Sequence, residues 1–598
     1  MPFFLLLGAL SLSIFAATTD ELIAQATSQH LENSRYWHLL MHAPKGESEI
    51  DDDAFFMAPD GKYNLGGELN ATIRHLNDDV NRSDESLFCR FPARRAWLEK
   101  ELRISFGEGE CRQYEALLTK MDPKKVTLVF PSAHINSPAS MFGHTFLRID
   151  SSMESKLMSY AINYAAQTAE TNGLLFAYKG LFGGYFGFYS MLPYYEKLKE
   201  YRDSESRDVW EYDLNLTPDE VRAMVRHIWE LQRINSRYYF FDENCSYHML
   251  WLSEIARPSL HLREYFRYYV IPPDTVRAFE EEGVVGEKHF RASKRSKLLA
   301  YEGELNPTAI GAVQLLASGK MEAAAIKELP LSVQDQRYGL EAAAELTEFV
   351  FIEGKMSKEA YGKRYHTLLS ERAALGQGEV LPTIAKPNPD TAHRSARLEM
   401  AQGWLENRSP LMIGFRPAFH DLGEVDAGHL TGAQIEFLDT LLGIENNTLT
   451  VEKLTLLSLA SIAPVSYFFK PLSWRMKIGW DREYGSDRLS FVTRLGVGTS
   501  IGNDRVFGYL LSEPEVRAGF NPDAGIGLTA GGGINWGKAM KSYLETGHIV
   551  YLDQRDRSRL SFSHRWQWSS HGALFFQYDL YRQAGREDRL HAGISLYF

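Results

Sequence analysis

Cys245 opens the run CSYHMLWLSEIA, directly after the acidic and amide stretch DEN. The pattern predicts a helix that starts at the thiol, is capped by Asn244 or Glu243, and stops before Arg257-Pro258. In a helix's first turn a thiol meets the positive end of the dipole and free N–H groups, which favour the thiolate. A neighbouring imidazole lowers the thiol's pKa further and supplies a general base. Cys245 is therefore the candidate nucleophile. His144, beside Gly143 at the expected start of a strand, is the leading candidate base. The alternatives are His134 in the preceding Ser/Pro loop and His248 on the cysteine's own helix. Asn163, on a strand predicted from LMSYAINYAAQT, is the candidate to orient the imidazole.

Cysteine parity supports a free Cys245. The chain has three cysteines, and Cys89 and Cys111 flank ARRAWLEKELRISFGEGE as natural disulfide partners in an oxidising compartment.

The elements that must position these groups follow from pattern. Residues 126–130 read as a buried strand. LNLTPDEVRAMVRHIWELQRI carries a capping box, with Thr217 as N-cap, Pro218 at the first position and Glu220 at the third. The order is strands with a histidine, then a helix, then the cysteine. YKGLFGGYFGFYSMLPYYEK, residues 178–197, has no clean period and reads as a long aromatic loop over the site. Exposed, so many aromatics need a partner or lipid. Lys179 is expected near an anionic headgroup; Tyr185 and Phe186, with Tyr247 beside the thiol, complete the expected substrate contacts.

SPASMFGHTFLRID, the stretch from LMSYAINYAAQT to YYEKLKEY, and YYFFDENCSYHML together resemble the Lnb N-terminal periplasmic domain family, over about residues 118–290. The namesake of that family is a bacterial lipoprotein N-acylating transferase. The histidine-then-cysteine order is also similar to permuted papain-like enzymes, including the lecithin:retinol acyltransferase group. The resemblance implies a thioester mechanism with Cys245 as nucleophile and His144 as base, and carries over to Asn163 less directly. It implies a lipid, phospholipid or lipoprotein acyl substrate. A peptidoglycan amide is the alternative for the same site, and a non-enzymatic envelope protein is the third reading. Backbone N–H groups at the helix start would hold the oxyanion. The namesake's membrane helices have no counterpart here.

The two ends point to the envelope. MPFFLLLGALSLSIFAATTDE reads as a secretory signal peptide, residues 1–17, cleaved near Ala16 or Ala17. No later segment is a continuous apolar span. From about residue 400 the period is two: Trp474, Met476, Ile478 and Trp480 alternate with Arg475, Lys477, Gly479 and Asp481, and Leu574, Phe576, Tyr578 and Leu580 with Ala573, Gln577 and Asp579. Short turns such as IGNDR separate these runs, and the chain closes on the amphipathic strand RLHAGISLYF. Ten to twelve antiparallel strands, even in number, are expected to close into a membrane barrel.

The expected fold is thus an α+β, permuted papain-like periplasmic domain with helical segments, followed by an antiparallel transmembrane β-barrel. The expected order is signal peptide 1–17, a small mainly helical module 18–115, the papain-like domain 118–290, helices and a Pro-rich linker 291–395, and the barrel 396–598. The net charge of −12 is spread without a basic block, so no nucleic-acid partner is implied. The expected partners are outer-membrane lipid and the barrel-assembly machinery. No cofactor is expected, and no metal, because no His/Cys/Asp cluster stands at ligand spacing.

Overall fold

The computed structural model describes residues 17–598 apart from 133–141, 154, 169, 171–172, 385, 406–407, 483–487, 520–521, 554 and 584. All but the last residue of the expected signal peptide, and the alternative base His134, lie outside the described residues. The chain forms two compact units. One holds residues up to 127 with 146–194 and 213–269; the other holds 128–145, 195–212 and 270–598.

The first unit begins with α1 (Thr19–Ser28), α2 (Arg35–Leu40), α3 (Leu65–Asp78), α4 (Leu87–Arg90), α5 (Pro92–Leu102) and α6 (Arg112–Met121). Cys89 and Cys111 are disulfide-bonded, as expected, and tie α4 to the start of α6. Further along the chain, β1 (Lys125–Pro131) passes from the first unit into the second at residue 128; β2 (Phe146–Asp150), β3 (Tyr160–Ala166), α7 (Gly173–Leu181) and β4 (Tyr185–Pro193) belong to the first; α8 (Tyr194–Leu198) and β5 (Val209–Leu214) lie mostly in the second; and α9 (Pro218–Glu230), β6 (Asn235–Tyr238) and α10 (Cys245–Ala256) return to the first. Four of these strands pair antiparallel in the order β6-β4-β3-β2.

The local signals explain the helices. Thr217 Oγ1 accepts the Glu220 N–H while Glu220 accepts the Thr217 N–H, so the capping box sets the start of α9. All twelve residues of α10 are buried, the apolar MLWL run together with Ser246, His248, Ser253 and Glu254.

Two expectations need correction. β2 starts at Phe146, two residues beyond His144, because Gly143 turns the chain with φ 97°. Residues 178–197 are not a long loop. They form the end of α7, a turn, β4 between β3 and β6, and α8. Glycine makes the room for that aromatic packing: a Cβ on Gly187 would fall 2.4 Å from Tyr164 Cζ, and one on Gly180 would fall 2.2 Å from Phe240 Cζ.

In the second unit, α11 (Pro272–Glu281), β7 (Val285–Arg291), α12 (Lys294–Glu304), α13 (Pro307–Ser318), α14 (Val333–Ile352) and α15 (Lys358–Ala374) precede the barrel. Leu298, Val313, Leu316, Ile326 and Leu340 form the core of these helices, against which Phe469 of a barrel loop also packs. No helix among the described residues is long and apolar enough to cross a membrane.

The barrel runs through β8 (Arg397–Leu405), β9 (Leu411–Arg416), β10 (Ala418–His420), β11 (Ala433–Glu445), β12 (Thr448–Ser461), β13 (Ser473–Asp481), β14 (Ser490–Gly502), β15 (Val506–Ala518), β16 (Asp523–Asn535), β17 (Met540–Tyr551), β18 (Asp556–Ser569), β19 (Gly572–Arg582) and β20 (Arg586–Tyr597). Each strand from β11 to β20 pairs with the next, β20 pairs with β8, and β8 with β9. β9 and β10 both pair with β11 and share one place, so thirteen segments close a ring of twelve. An even, closed ring leaves no open edge for lipid to meet.

The side chains are arranged inside out relative to a soluble protein. Leu495, Val497, Leu510, Leu528, Trp566 and Leu574 are exposed, whereas Arg475, Arg494, Glu513, Glu515 and Arg565 are inside. Arg475 pairs with Glu513 and Glu545, and Arg494 donates to Glu515 at 2.7 Å. An apolar outer band around a charged interior suits only a hydrocarbon solvent.

Candidate active site

Cys245 is the first residue of α10 and the one free cysteine; its side chain is buried, with the residue 4 % exposed. Asn244 caps the helix, its Oδ1 accepting the N–H of Ser246 at 3.0 Å and of Tyr247 at 3.3 Å. The Cys245 N–H donates to Tyr238 Oη at 3.3 Å, and Cys245 Sγ lies 3.8 Å from Ser246 Oγ. The first three N–H groups of the helix therefore already have acceptors. This corrects the expectation of free donors: an oxyanion here must take the place of Asn244 Oδ1 or Tyr238 Oη.

Tyr238, at the end of β6, is a site residue the sequence did not single out. Burial, with charge on Cys245 next, pushes its hydroxyl well above the usual range. It stays protonated and keeps its own hydrogen to donate. Aromatic rings fill the surroundings: Tyr164 of β3 lies parallel to Tyr238 at 5.9 Å and stacks on His248 of α10 at 3.6 Å.

His248 is one of the three histidines weighed as base. Its Nδ1 meets Tyr189 Oη at 3.1 Å, Nε2 is buried without a hydrogen bond, and burial pushes the ring down to about 3. A base that weak draws no proton from a thiol near neutrality. His144 belongs to the second unit, where its N–H donates to Pro131 O at 3.3 Å and its ring lies 5.7 Å from Tyr201. Asn163 is in the first unit, buried on β3 opposite Ser190 of β4, whose hydroxyl donates to Asn163 O at 3.3 Å.

The expected substrate contacts fall in different settings. Lys179 Nζ pairs with Glu170 at 3.2 Å and lies 5.8 Å over the Tyr185 ring. Tyr185 is buried on β4, and Phe186 beside it is 49 % exposed. Tyr247 is buried, its hydroxyl donating to Glu49 at 2.8 Å; Trp251 Nε1 donates to the same carboxylate at 3.0 Å. Burial pushes Glu49 up to about 7. Glu243, one residue before the cap, is pushed up to about 9 by burial, with Glu49, Asp242 and Asp51 adding to it. The region beside the thiol is thus aromatic and rich in carboxyl groups that give up their protons late.

In the second unit, His393, His420 and His429 bring ring nitrogens within 4.8 Å of one another and are a group able to hold a metal ion.

Residues 112–282 match the family described as Lnb N-terminal periplasmic domain. Residues 29–101, 288–384 and 386–598 match families described as domains of unknown function, DUF7843, DUF7842 and DUF7840. No curated protein matches the chain. Among solved structures, the NanC porin is 7 % identical over 34 % of this chain and 100 % of its own, with a TM-score of 0.24. The KdgM porin in complex with disordered oligogalacturonate is 9 % identical over 34 % of this chain and 99 % of its own, with a TM-score of 0.23. OmpTdeltaL8, a loop-deletion mutant of the Vibrio cholerae outer membrane protein OmpT, is 9 % identical over 34 % and 97 %, with a TM-score of 0.19.

Proposed function

We propose that the chain is an outer-membrane β-barrel protein whose periplasmic domain, over the stretch 112–282 that matches the Lnb N-terminal family, is a cysteine acyltransferase or hydrolase acting on a lipid or lipoprotein acyl group. Cys245 Sγ attacks the acyl carbonyl, the S–C bond forms, the ester C–O bond breaks, and the leaving alcohol takes the proton that His144 received from the thiol. An amine or water then attacks the thioester, returns a proton through His144 and frees the thiol. Asn163 orients the imidazole. Tyr238, with its hydrogen retained, donates to the oxyanion or the thiolate. Lys179, Tyr185, Phe186 and Tyr247 contact the substrate.

The observation that carries this reading is the thiol itself. Inside the stretch that matches the family, the single cysteine outside the disulfide opens a buried helix and meets a neutral tyrosine hydroxyl. The test is labelling of the purified, detergent-solubilised full-length protein with a thiol-reactive probe bearing an acyl chain, followed by peptide mapping. Labelling at Cys245 is expected to outpace a free thiol and to collapse in a His144→Ala variant whose barrel still migrates as folded. Reaction no faster than a free thiol, or equal with and without His144, would sink the enzyme reading.

A further inference from the structure

A second centre lies in the second unit, where the segment before β8 meets the loop between β10 and β11. His393 Nε2 and His420 Nδ1 face each other at 2.9 Å. Their other nitrogens fix the hydrogens. His393 Nδ1 is 2.8 Å from Arg394 O, a carbonyl that only accepts, so Nδ1 carries the hydrogen. His420 Nε2 is 3.2 Å from Asp426 Oδ1, and that carboxylate also accepts from Lys541 Nζ at 2.7 Å and Asn535 Nδ2 at 2.8 Å. His420 therefore carries its hydrogen on Nε2. Two neutral rings so arranged point lone pairs at each other, which is repulsive unless a cation lies between them. His429 adds a third: its Nε2 is shut off from solvent and makes no hydrogen bond, and its ring lies 4.1 Å from that of His420 and 4.4 Å from that of His393. A single proton would satisfy the facing pair and leave His429 Nε2 bare. A metal ion takes all three lone pairs.

We propose that His393, His420 and His429 bind one divalent transition-metal ion of the zinc class. Imidazole ligands suit zinc, copper, iron and nickel. A ligating histidine usually donates its other N–H to a carboxylate or backbone carbonyl, which is the pattern of Asp426 and Arg394. With Zn–N near 2.0 Å and tetrahedral angles, ligand nitrogens stand about 3.3 Å apart. For the facing pair that means opening by only a few tenths of an ångström, and the His429 nitrogen already lies within 4.8 Å of both. Glu424 Oε2 lies 3.4 Å from His393 Nε2 and 3.5 Å from His420 Nδ1. Arg416 holds that carboxylate at 2.8 Å, so it balances charge rather than completing the sphere. The fourth position falls to water from a cavity of about 190 Å³ that His420 and His429 line together with Phe142 and Phe419. The ligands are 27 residues apart and then nine more, a spacing that no local motif announces.

The test uses the full-length protein in detergent, stripped with a chelator and titrated with Co²⁺ and Zn²⁺. One equivalent of Co²⁺ with the visible absorption of a tetrahedral nitrogen site is expected. His420→Ala and His429→Ala should abolish it, and Asp426→Asn should weaken it about 10- to 100-fold. Gel migration of unheated samples reports whether each barrel has folded. For variants that fail to fold, X-ray absorption of Zn²⁺-loaded wild type replaces them, and imidazole scattering from about three ligands is expected. A folded wild type that binds neither ion, a bound ion that survives both alanine variants, or a first shell without imidazole would each overturn the assignment.

Discussion

Replacing Glu243 with glutamine should remove a proton-linked instability at the start of α10. The Glu243 carboxyl is pushed from its usual 4.5 up to about 9 by burial first, and then by the charges of Glu49, Asp242 and Asp51. The folded state therefore keeps a proton that the unfolded chain releases once the pH exceeds 4.5. The protonated form is the favoured one in the fold, so stability is full below 4.5 and is lost as pH rises toward 9. The slope is at most about 1.4 kcal/mol per pH unit. Because the side chain is only half-buried, about 1 kcal/mol lost between pH 7 and pH 8 is the expected size. Glu49 behaves alike but is pushed only to about 7, so its share of the slope ends near there. Above pH 7 the slope belongs mainly to Glu243. Glutamine keeps the shape and cannot ionise, so Glu243→Gln should flatten the curve between pH 7 and pH 8 while leaving a residual slope below 7. Hydrogen exchange of the α10 amides in the full-length, micelle-bound protein, corrected for the intrinsic pH dependence of exchange, measures this directly. Equal slopes above pH 7 in wild type and variant would refute the reasoning.

Two further outcomes can be checked on the same unit. The Cys89–Cys111 disulfide joins residues 22 apart, and closing a loop of that length is worth about 3 kcal/mol in the chain-entropy account, so the double serine variant should lose that much in urea unfolding followed by exchange at α4 and α6. Gly187→Ala drives a methyl into Tyr164, whose ring bears on His248 and lies beside Tyr238; it should cost about 1–3 kcal/mol and slow labelling of Cys245, and unchanged labelling would show that this aromatic packing does not support the thiol.

The barrel was legible because lipid outside and charge inside impose a strict period of two. Trp474 to Asp481 keeps that alternation through β13, and the same rule runs to the last residue. The start of α9 was legible for a different reason: a capping box is written in three side chains and depends on nothing distant. Residues 178–197 were not legible, because β4 lies between two strands and Gly180 and Gly187 make room for neighbouring rings, so that only part of the glycine signal marks a turn. The partners of the Cys245 helix start escaped notice because Tyr238 lies on a separate strand seven residues upstream. The three histidines of the second unit share no local pattern, and only the closing of the barrel and the path of one loop bring them together.

The neighbourhood of Cys245 bears on which acceptor the proposed thioester meets. Tyr164, Tyr238 and His248 are buried, Tyr189 is half-buried, and all four are uncharged around neutrality, so the shell on this side of the thiol offers little to hold water. Such a shell protects a thioester from hydrolysis and favours transfer. An amine, however, arrives as an ammonium ion and must shed a proton before it can attack. His248, held near 3, cannot take that proton. Glu49, held at about 7 and bonded to Tyr247 and Trp251 of the same helix, is half-ionised at neutral pH and able both to attract the ammonium and to accept its proton. Acidic carboxyls of ordinary pKa would attract a cation without being basic enough to deprotonate it. Within the proposed acyl transfer, late-ionising carboxyls of this kind suit an amine acceptor, and Glu49 adds to the proton route through His144.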